Sequence, residues 1–257
     1  MLELRNVSKV YSPGTVNENC LFRHFSLTIP DGQFVSVVGS NGSGKTTMLN
    51  IVCGSIPVDE GGILIGGQDI TKMREHRRYR NIGRVYQNPA MGTCGTMTIL
   101  ENMAMADNKN KPYNITPGVN RKRVEYYREL LSSLGLGLED KLHVPVSSLS
   151  GGQRQAMALL MATLTPIEFL ILDEHTAALD PKTAEIIMQL TGKLVREKGL
   201  TTLMVTHNLR YALEYGDRLL MLHEGHIVLD KSGEEKAALK LDDVLGLFNE
   251  ISIECGN

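Results

Sequence analysis

The apolar positions of this chain follow two periods, one of about two residues and one of about three and a half. Over residues 1–38 the shorter period holds: Leu2, Leu4 and Val7, then Phe25, Leu27 and Ile29, alternate with polar neighbours. With Pro30-Asp31-Gly32 as a turn, this pattern predicts antiparallel strands leading into Phe34-Val35-Ser36-Val37-Val38. That run is β-branched and nearly unbroken, as a strand buried on both faces should be. Further short apolar runs predict strands at Gly61–Gly67, Ile82–Pro89 (ending in a loop), Glu168–Glu174, Thr202–His207, Leu219–Leu222 and Ile227–Leu229. Glu224-Gly225 is the hairpin turn between the last two.

Helical periodicity appears after Thr46, in Thr98–Met105, in Arg123–Leu134, in Arg154–Leu164 and in Thr183–Lys198. In the last of these, Ile186, Ile187, Leu190 and Leu194 form a stripe expected to face the core. The basic stretch Lys72–Arg80 reads as a solvated helix face, Asp107–Asn120 as an exposed loop, and Glu234–Asn257 as a peripheral helical tail. Strands and helices in this order predict an α/β core, residues 1–87 and 166–232, with residues 88–165 inserted as a helical subdomain and 233–257 as the tail.

Composition narrows the class without naming it. At 257 residues, 22% charged and 42% apolar, the chain fits one large globular domain or a core with an inserted subdomain. A net charge of −2 gives no electrostatic case for nucleic acid. Cys20, Cys53, Cys94 and Cys255 are scattered, which argues for a reducing compartment and against zinc or a disulfide framework. The apolar region Ala156–Leu172 is broken by Pro166 and Glu168 and is too short to span a bilayer, and no signal peptide is visible. The expectation is a soluble protein whose membrane role, if any, runs through a partner.

The chemistry concentrates in Gly39-Ser40-Asn41-Gly42-Ser43-Gly44-Lys45-Thr46-Thr47. A strand, a loop with GxxxxGK[ST] spacing and a helix together are the context of a phosphate-binding P-loop. Glycines let successive N–H groups converge on an anion, and the helix N-terminus adds partial positive charge. Lys45 is expected to reach the β- and γ-phosphates, and the Thr46 hydroxyl to ligate Mg²⁺.

Other candidates carry two readings each. Leu149-Ser150-Gly151-Gly152-Gln153 is either a second anion site at a helix start or an N-cap serine followed by loop glycines. Asp173 and Glu174 end a buried strand beside the P-loop, where Asp173 is placed to hold Mg²⁺ through water and Glu174 to orient or deprotonate a water; the bland reading is a solvated acidic strand end. His207 ends another strand at the same edge and is either structural or functional. Tyr11 reads, alone, as a packed strand-end residue, and Gln87 as a surface amide.

Taken in order, these pieces resemble the nucleotide-binding subunit of an ABC transporter, over about residues 2–232. The resemblance rests on a Walker A loop at Gly39–Thr46, Gln87 after a strand, Leu149–Gln153, a Walker B strand ending in Asp173-Glu174, Ala178-Leu179-Asp180, and His207. It implies a P-loop NTPase core of RecA type with an antiparallel β subdomain and an inserted α-helical subdomain, and ATP and Mg²⁺ as cofactors. It further implies that Tyr11 stacks on adenine, that Gln87 senses Mg²⁺ and the membrane partner, that Glu174 is the general base, and that His207 binds the γ-phosphate. Ser150 and Gly152, within the segment ending at Gln153, would bind the ATP held by a second copy in a head-to-tail dimer, and Asp180 would cross that interface.

The implied partners are a transmembrane permease, gripped by residues 88–148, and through it an extracytoplasmic solute-binding protein; the implied location is the cytoplasmic face of the membrane. Two positions depart from the family pattern: His175 stands where proline usually follows the glutamate, and Ala177 where serine is usual. The segment Glu174–Thr183 is similar to an importer branch linked to aromatic amino acids. The alternative is an ABC ATPase without a membrane partner, such as one for iron–sulfur cluster assembly. A P-loop kinase or GTPase would leave Leu-Ser-Gly-Gly-Gln unexplained.

Overall fold

The computed structural model describes residues 1–112, 115 and 117–254, the last five by backbone alone. Tyr113, Asn114 and Thr116 of the expected loop, and Cys255 of the tail, lie outside the described residues. The chain opens with strands β1 (Leu2–Tyr11) and β2 (Asn19–Ile29), crosses into β3 (Phe34–Gly39) and helix α1 (Lys45–Cys53), and returns as β4 (Glu60–Ile65) and β5 (Gln68–Asp69). A one-turn helix α2 (Glu75–Arg78) precedes β6 (Ile82–Val85), and helices α3 (Ile99–Asp107), α4 (Val124–Ser132) and α5 (Gly151–Ala162) follow. Then come β7 (Phe169–Asp173), α6 (Pro181–Lys198), β8 (Thr201–Val205), α7 (Leu209–Glu214), β9 (Arg218–His223) and β10 (His226–Ser232), and the chain closes with α8 (Gly233–Ala237) and α9 (Leu241–Glu254).

Two sheets share the strands. The larger runs β10-β9-β3-β8-β7-β6, with all its pairs parallel except the edge pair of β9 and β10. Its central strands are mostly apolar because elements cover both faces: every residue of β3 and β8 is buried, and among the polar exceptions Ser36 and Thr202 donate their hydroxyls to the Tyr215 and Leu200 carbonyls. The smaller sheet, β2-β1-β4-β5, is antiparallel. Helix α1 lies between the two, so Met48, Leu49, Ile51 and Val52 share one core with Leu2, Leu4 and Ile63 on one side and Val35, Val37 and Ile171 on the other. This is an α/β fold, and it fixes the P-loop helix between two rigid layers.

Helices α3, α4 and α5 build a second core around Ile99, Met103, Tyr127, Leu131, Met157 and Leu160, joined to α6 through Ile187. Buried Asn102 organises the approach to it: its amide donates to the carbonyls of Cys94, Met97 and Thr98, and its oxygen accepts from the Cys94 N–H. A capping box between Thr98 and Glu101 starts α3.

Several expectations change. Lys72–Arg80 is not simply a solvated face, since Arg78 is 4% exposed and donates to the carbonyls of Ile51, Val52, Thr71 and Met73. It satisfies the open C-terminus of α1, a tertiary role that a run of basic residues does not reveal. Ile186 is not core; it is 37% exposed, and α6 buries Ala184, Ile187, Met188 and Val195. Asp107 ends α3 rather than starting an exposed loop, and it is held by Lys111, Arg123 and Tyr127. The tail is less peripheral than expected, because Val244 of α9 is buried against Ala212, Leu219 and Met221. Helix α5 begins at Gly151 and not at Arg154, since Ser150 and Gln153 form a capping box. Helix α6 begins at Pro181, with Asp180 as its N-cap.

Candidate functional site

The parallel strands β3, β7 and β8 end at one edge of the sheet, with Asp173 level with Val205 and Val205 level with Val37. In open α/β sheets, ligands bind outside the carboxyl ends of the strands. The P-loop leaves β3 there. Gly39 has φ 155°, and a Cβ on it would lie 2.2 Å from the Leu222 carbonyl oxygen, so only glycine fits this turn. Gly44 stands at the N-cap of α1 with φ 103° and no side-chain cap, which leaves the first N–H groups of the helix open toward the loop. Ser40, Asn41, Gly42 and Ser43 form the intervening turn, with the Ser43 N–H donating to the Ser40 carbonyl.

Lys45, the first residue of α1, is 5% exposed and curls back over the loop, donating to the carbonyls of Gly39 and Ser40 at 2.7 and 2.8 Å. Burial lowers its pKa, an effect partly countered by the charge of Glu174. A desolvated ammonium held only by neutral oxygens is a built anion site, so the loop fits a phosphate chain. Thr46 is exposed and Thr47 half-buried; the hydroxyls of Thr47 and Tyr11 lie 3.2 Å apart, which brings Tyr11 from β1 to the first turn of α1.

Two consecutive carboxylates stand where β7 ends, Asp173 as its last residue and Glu174 just beyond it. Asp173 is half-buried, and one of its oxygens receives the Arg84 guanidinium at 2.6 Å. Arg84 also reaches the Asn50 amide oxygen at 3.0 Å. Asn50, Arg84, Gln87 and Asp173 line one cavity of about 680 Å³, so Gln87 and Asp173 share a space although 86 positions separate them. Within this lining the Asp173 carboxylate and the Gln87 amide are oxygen donors of the kind that hold a divalent ion, directly or through water.

Glu174 takes φ 47°, a left-handed conformation rare outside glycine and asparagine, in which its N–H still donates to the Val205 carbonyl. The bend turns its carboxylate out of the strand direction, and His207 Nε2 meets it at 2.7 Å. His175, next in sequence, is 2% exposed, contacts the Thr191 hydroxyl at 3.1 Å and has its pKa lowered to about 4 by burial. It fills the position structurally as a neutral ring.

The structure brings Gly39–Thr47, Asp173, Glu174 and His207 to one edge of the larger sheet, Gln87 into a cavity with Asp173, and Tyr11 from the smaller sheet to Thr47. It does not bring Ser150–Gln153 there. Ser150 Oγ accepts from the Gln153 N–H as the cap of α5, Gln153 donates to the Leu136 carbonyl, and Gly151 and Gly152 face Leu179 and Thr183. Asn50 and Arg84 escaped the reading of the sequence. An asparagine on a helix and an arginine in a strand have no motif spacing; the one available signal was a charged side chain inside an otherwise apolar strand.

A family model described as ABC transporter matches residues 22–177. The chain is 46% identical to a tyrosine transport ATP-binding protein of Clostridioides difficile, over 96% of this chain and 98% of that protein. It is 30% identical to the phosphonates import ATP-binding protein PhnC 2 of Oceanobacillus iheyensis, over 96% of each. Among solved structures, a dimeric ATP-binding cassette in a post-hydrolysis state, bound to ADP and Pi, superposes with a TM-score of 0.76 at 31% identity, over 90% of this chain and 98% of that one. These relatives lend no support to an iron–sulfur assembly role. With the family model over residues 22–177 and relatives matching nearly end to end, the chain belongs to the ABC transporter family, as an ATP-binding, ATP-hydrolysing cassette that powers transport.

Proposed function

We propose that this cassette drives the import of an aromatic amino acid, tyrosine or a close relative, through a separate membrane permease at the cytoplasmic face. The single observation that supports this reading is the end-to-end similarity to a tyrosine transport protein, at 46% identity. In this reading Lys45 and the P-loop N–H groups hold the phosphates, Tyr11 stacks on the base, and Mg²⁺ would be held by Thr46, by Gln87 and, through water, by Asp173. Bound Mg²⁺ would neutralise charge between the β- and γ-phosphates. Glu174 orients or deprotonates the attacking water, and His207 contacts the γ-phosphate.

Ser150–Gln153 lies away from the chain's own P-loop, so its role requires a second copy. Two copies packed head to tail would each present that helix start to the partner's nucleotide, closing both sites together. ATP then joins the chains and hydrolysis loosens them, a cycle able to move a permease between two states. The groove beside Gln87, lined by Met97, Ala104, Met105 and Met161, suits the permease's contact, and a solute-binding protein would act through that permease. No nucleic acid takes part. The test is uptake of labelled tyrosine by cells with and without this chain, complemented by the wild type and by Lys45→Ala. Tyrosine uptake that does not change when the chain is removed overturns the substrate assignment.

A further inference from the structure

Arg84 projects from β6, yet only 7% of its side chain is exposed. Its fork is divided between two elements of the site: one arm holds Asp173 Oδ2 on β7, and the other holds Asn50 Oδ1 on α1. Its Nε is buried with no partner. The guanidinium also packs 4.7 Å from the centre of the Tyr86 ring. Arginine keeps its charge at all working pH values, so this is a permanent cation aimed at the carboxylate that a metal would use. A buried guanidinium left without its acid is costly, so the pair stays formed and one oxygen of Asp173 stays committed to Arg84.

The same two residues divide two cavities. Arg84 and Tyr86 line the space shared by Gln87 and Asp173, and they also line the groove of about 950 Å³ between β6 and helices α3 and α5. The Tyr86 carbonyl accepts from the buried Gln155 amide of α5, the helix that also lines the groove, at 3.1 Å. An unbroken run of contacts thus joins α5 to Tyr86, Tyr86 to the guanidinium packed on its ring, and the guanidinium to Asp173. We propose that Arg84 is a positioning residue that fixes Asp173 against the P-loop helix and ties it to the state of the groove.

The inference rests on Asp173 being the magnesium-facing carboxylate, and the experiment separates the two. The affinity of a fluorescent ADP for the full chain is measured in EDTA and in Mg²⁺, and the ratio is the quantity read. Asp173→Asn lowers this ratio; an unchanged ratio overturns the reading of Asp173 itself. Arg84→Met lowers it by about tenfold, as loss of a residue that orients a metal contact does, with affinity in EDTA preserved; the unfolding midpoint falls because a buried pair is broken, so the measurement is made well below it. Arg84→Lys, which cannot span both oxygens, gives a smaller loss, and Arg84→Met adds nothing to Asp173→Asn. A ratio unchanged in Arg84→Met, or affinity lost equally in EDTA, overturns the positioning role. Hydrogen exchange tests the link to the groove: adding Mg²⁺ to the ADP complex alters protection across α5 in the wild type and not in Arg84→Met. The same change in both proteins overturns that link.

Discussion

His207 Nε2 lies 2.7 Å from Glu174 Oε1, so the last side chain of one parallel strand region is held by the carboxylate of its neighbour. The contact depends on the left-handed backbone of Glu174, since an extended residue there would carry the carboxylate along the strand. It keeps the carboxylate at the P-loop, where a water attacking a terminal phosphate would stand.

Glu174→Gln should therefore abolish turnover while sparing nucleotide binding. An amide keeps the shape and the contact to His207, yet cannot take a proton from water. The expected loss is on the order of 10²–10⁴-fold in kcat. Steady-state hydrolysis alongside a binding measurement checks it, and near wild-type turnover would show that Glu174 is not the base.

Arg78→Ala should destabilise the fold without touching the chemistry. The guanidinium satisfies carbonyls at the end of α1 and in the 71–73 loop, and alanine leaves them buried and unpaired. Charge-assisted bonds to buried groups make the expected cost about 3 kcal/mol. Urea unfolding monitored by circular dichroism measures it; a loss under about 0.5 kcal/mol would mean that water replaces the guanidinium.

His175 should make stability fall in mild acid. Its folded pKa, about 4, lies below the usual 6.5, so the unfolded chain takes up the proton first as pH drops. The contribution is fully present above pH 6.5, is lost progressively down to about pH 4, and changes no further below it. Between pH 7.5 and 5 the loss from this one group is about 2 kcal/mol. His175→Gln, studied without nucleotide or Mg²⁺, should flatten that part of the profile; an identical profile in both proteins would remove His175 as its source.

Two copies sharing their sites should reveal themselves in kinetics. Specific ATPase activity of the isolated chain should rise with protein concentration in the dilute range. Ser150→Arg should disable a partner's site while leaving the variant's own nucleotide binding intact. Ser150 also caps α5, so the substitution costs about 1 kcal/mol of stability, and the unfolding midpoint must be followed alongside. Activity independent of concentration, from a chain that stays monomeric during turnover, rules out the shared site.

Much of this was legible before any coordinates, for reasons that differ from element to element. Buried parallel strands such as Phe34–Val38 and Phe169–Leu172 announce themselves because both faces are covered, so nearly every position is apolar, Ser36 being the exception. The P-loop is legible because close backbone approach admits only glycine, and that demand leaves a fixed spacing. Ile186 misled because a helix stripe has a width but no absolute direction: which neighbour of Ile187 turns to solvent depends on what lies across from it.

Local chemistry, then, is what the sequence by itself determined: strand, turn and helix at the P-loop, the carboxylates ending β7, and the class of ligand that such a loop accepts. These follow from backbone sterics and hydrogen bonding over a few residues. The tertiary structure alone decided the long-range pairs, among them Arg84 with Asp173, Arg78 with the end of α1, and Glu174 with His207. Their partners are separated by 89, 27 and 33 positions, and no short-range rule relates such distances to contact. Charge and hydrogen-bond capacity are visible in any arginine; only the order of strands in the sheet and the helices packed on it select the acceptor it meets.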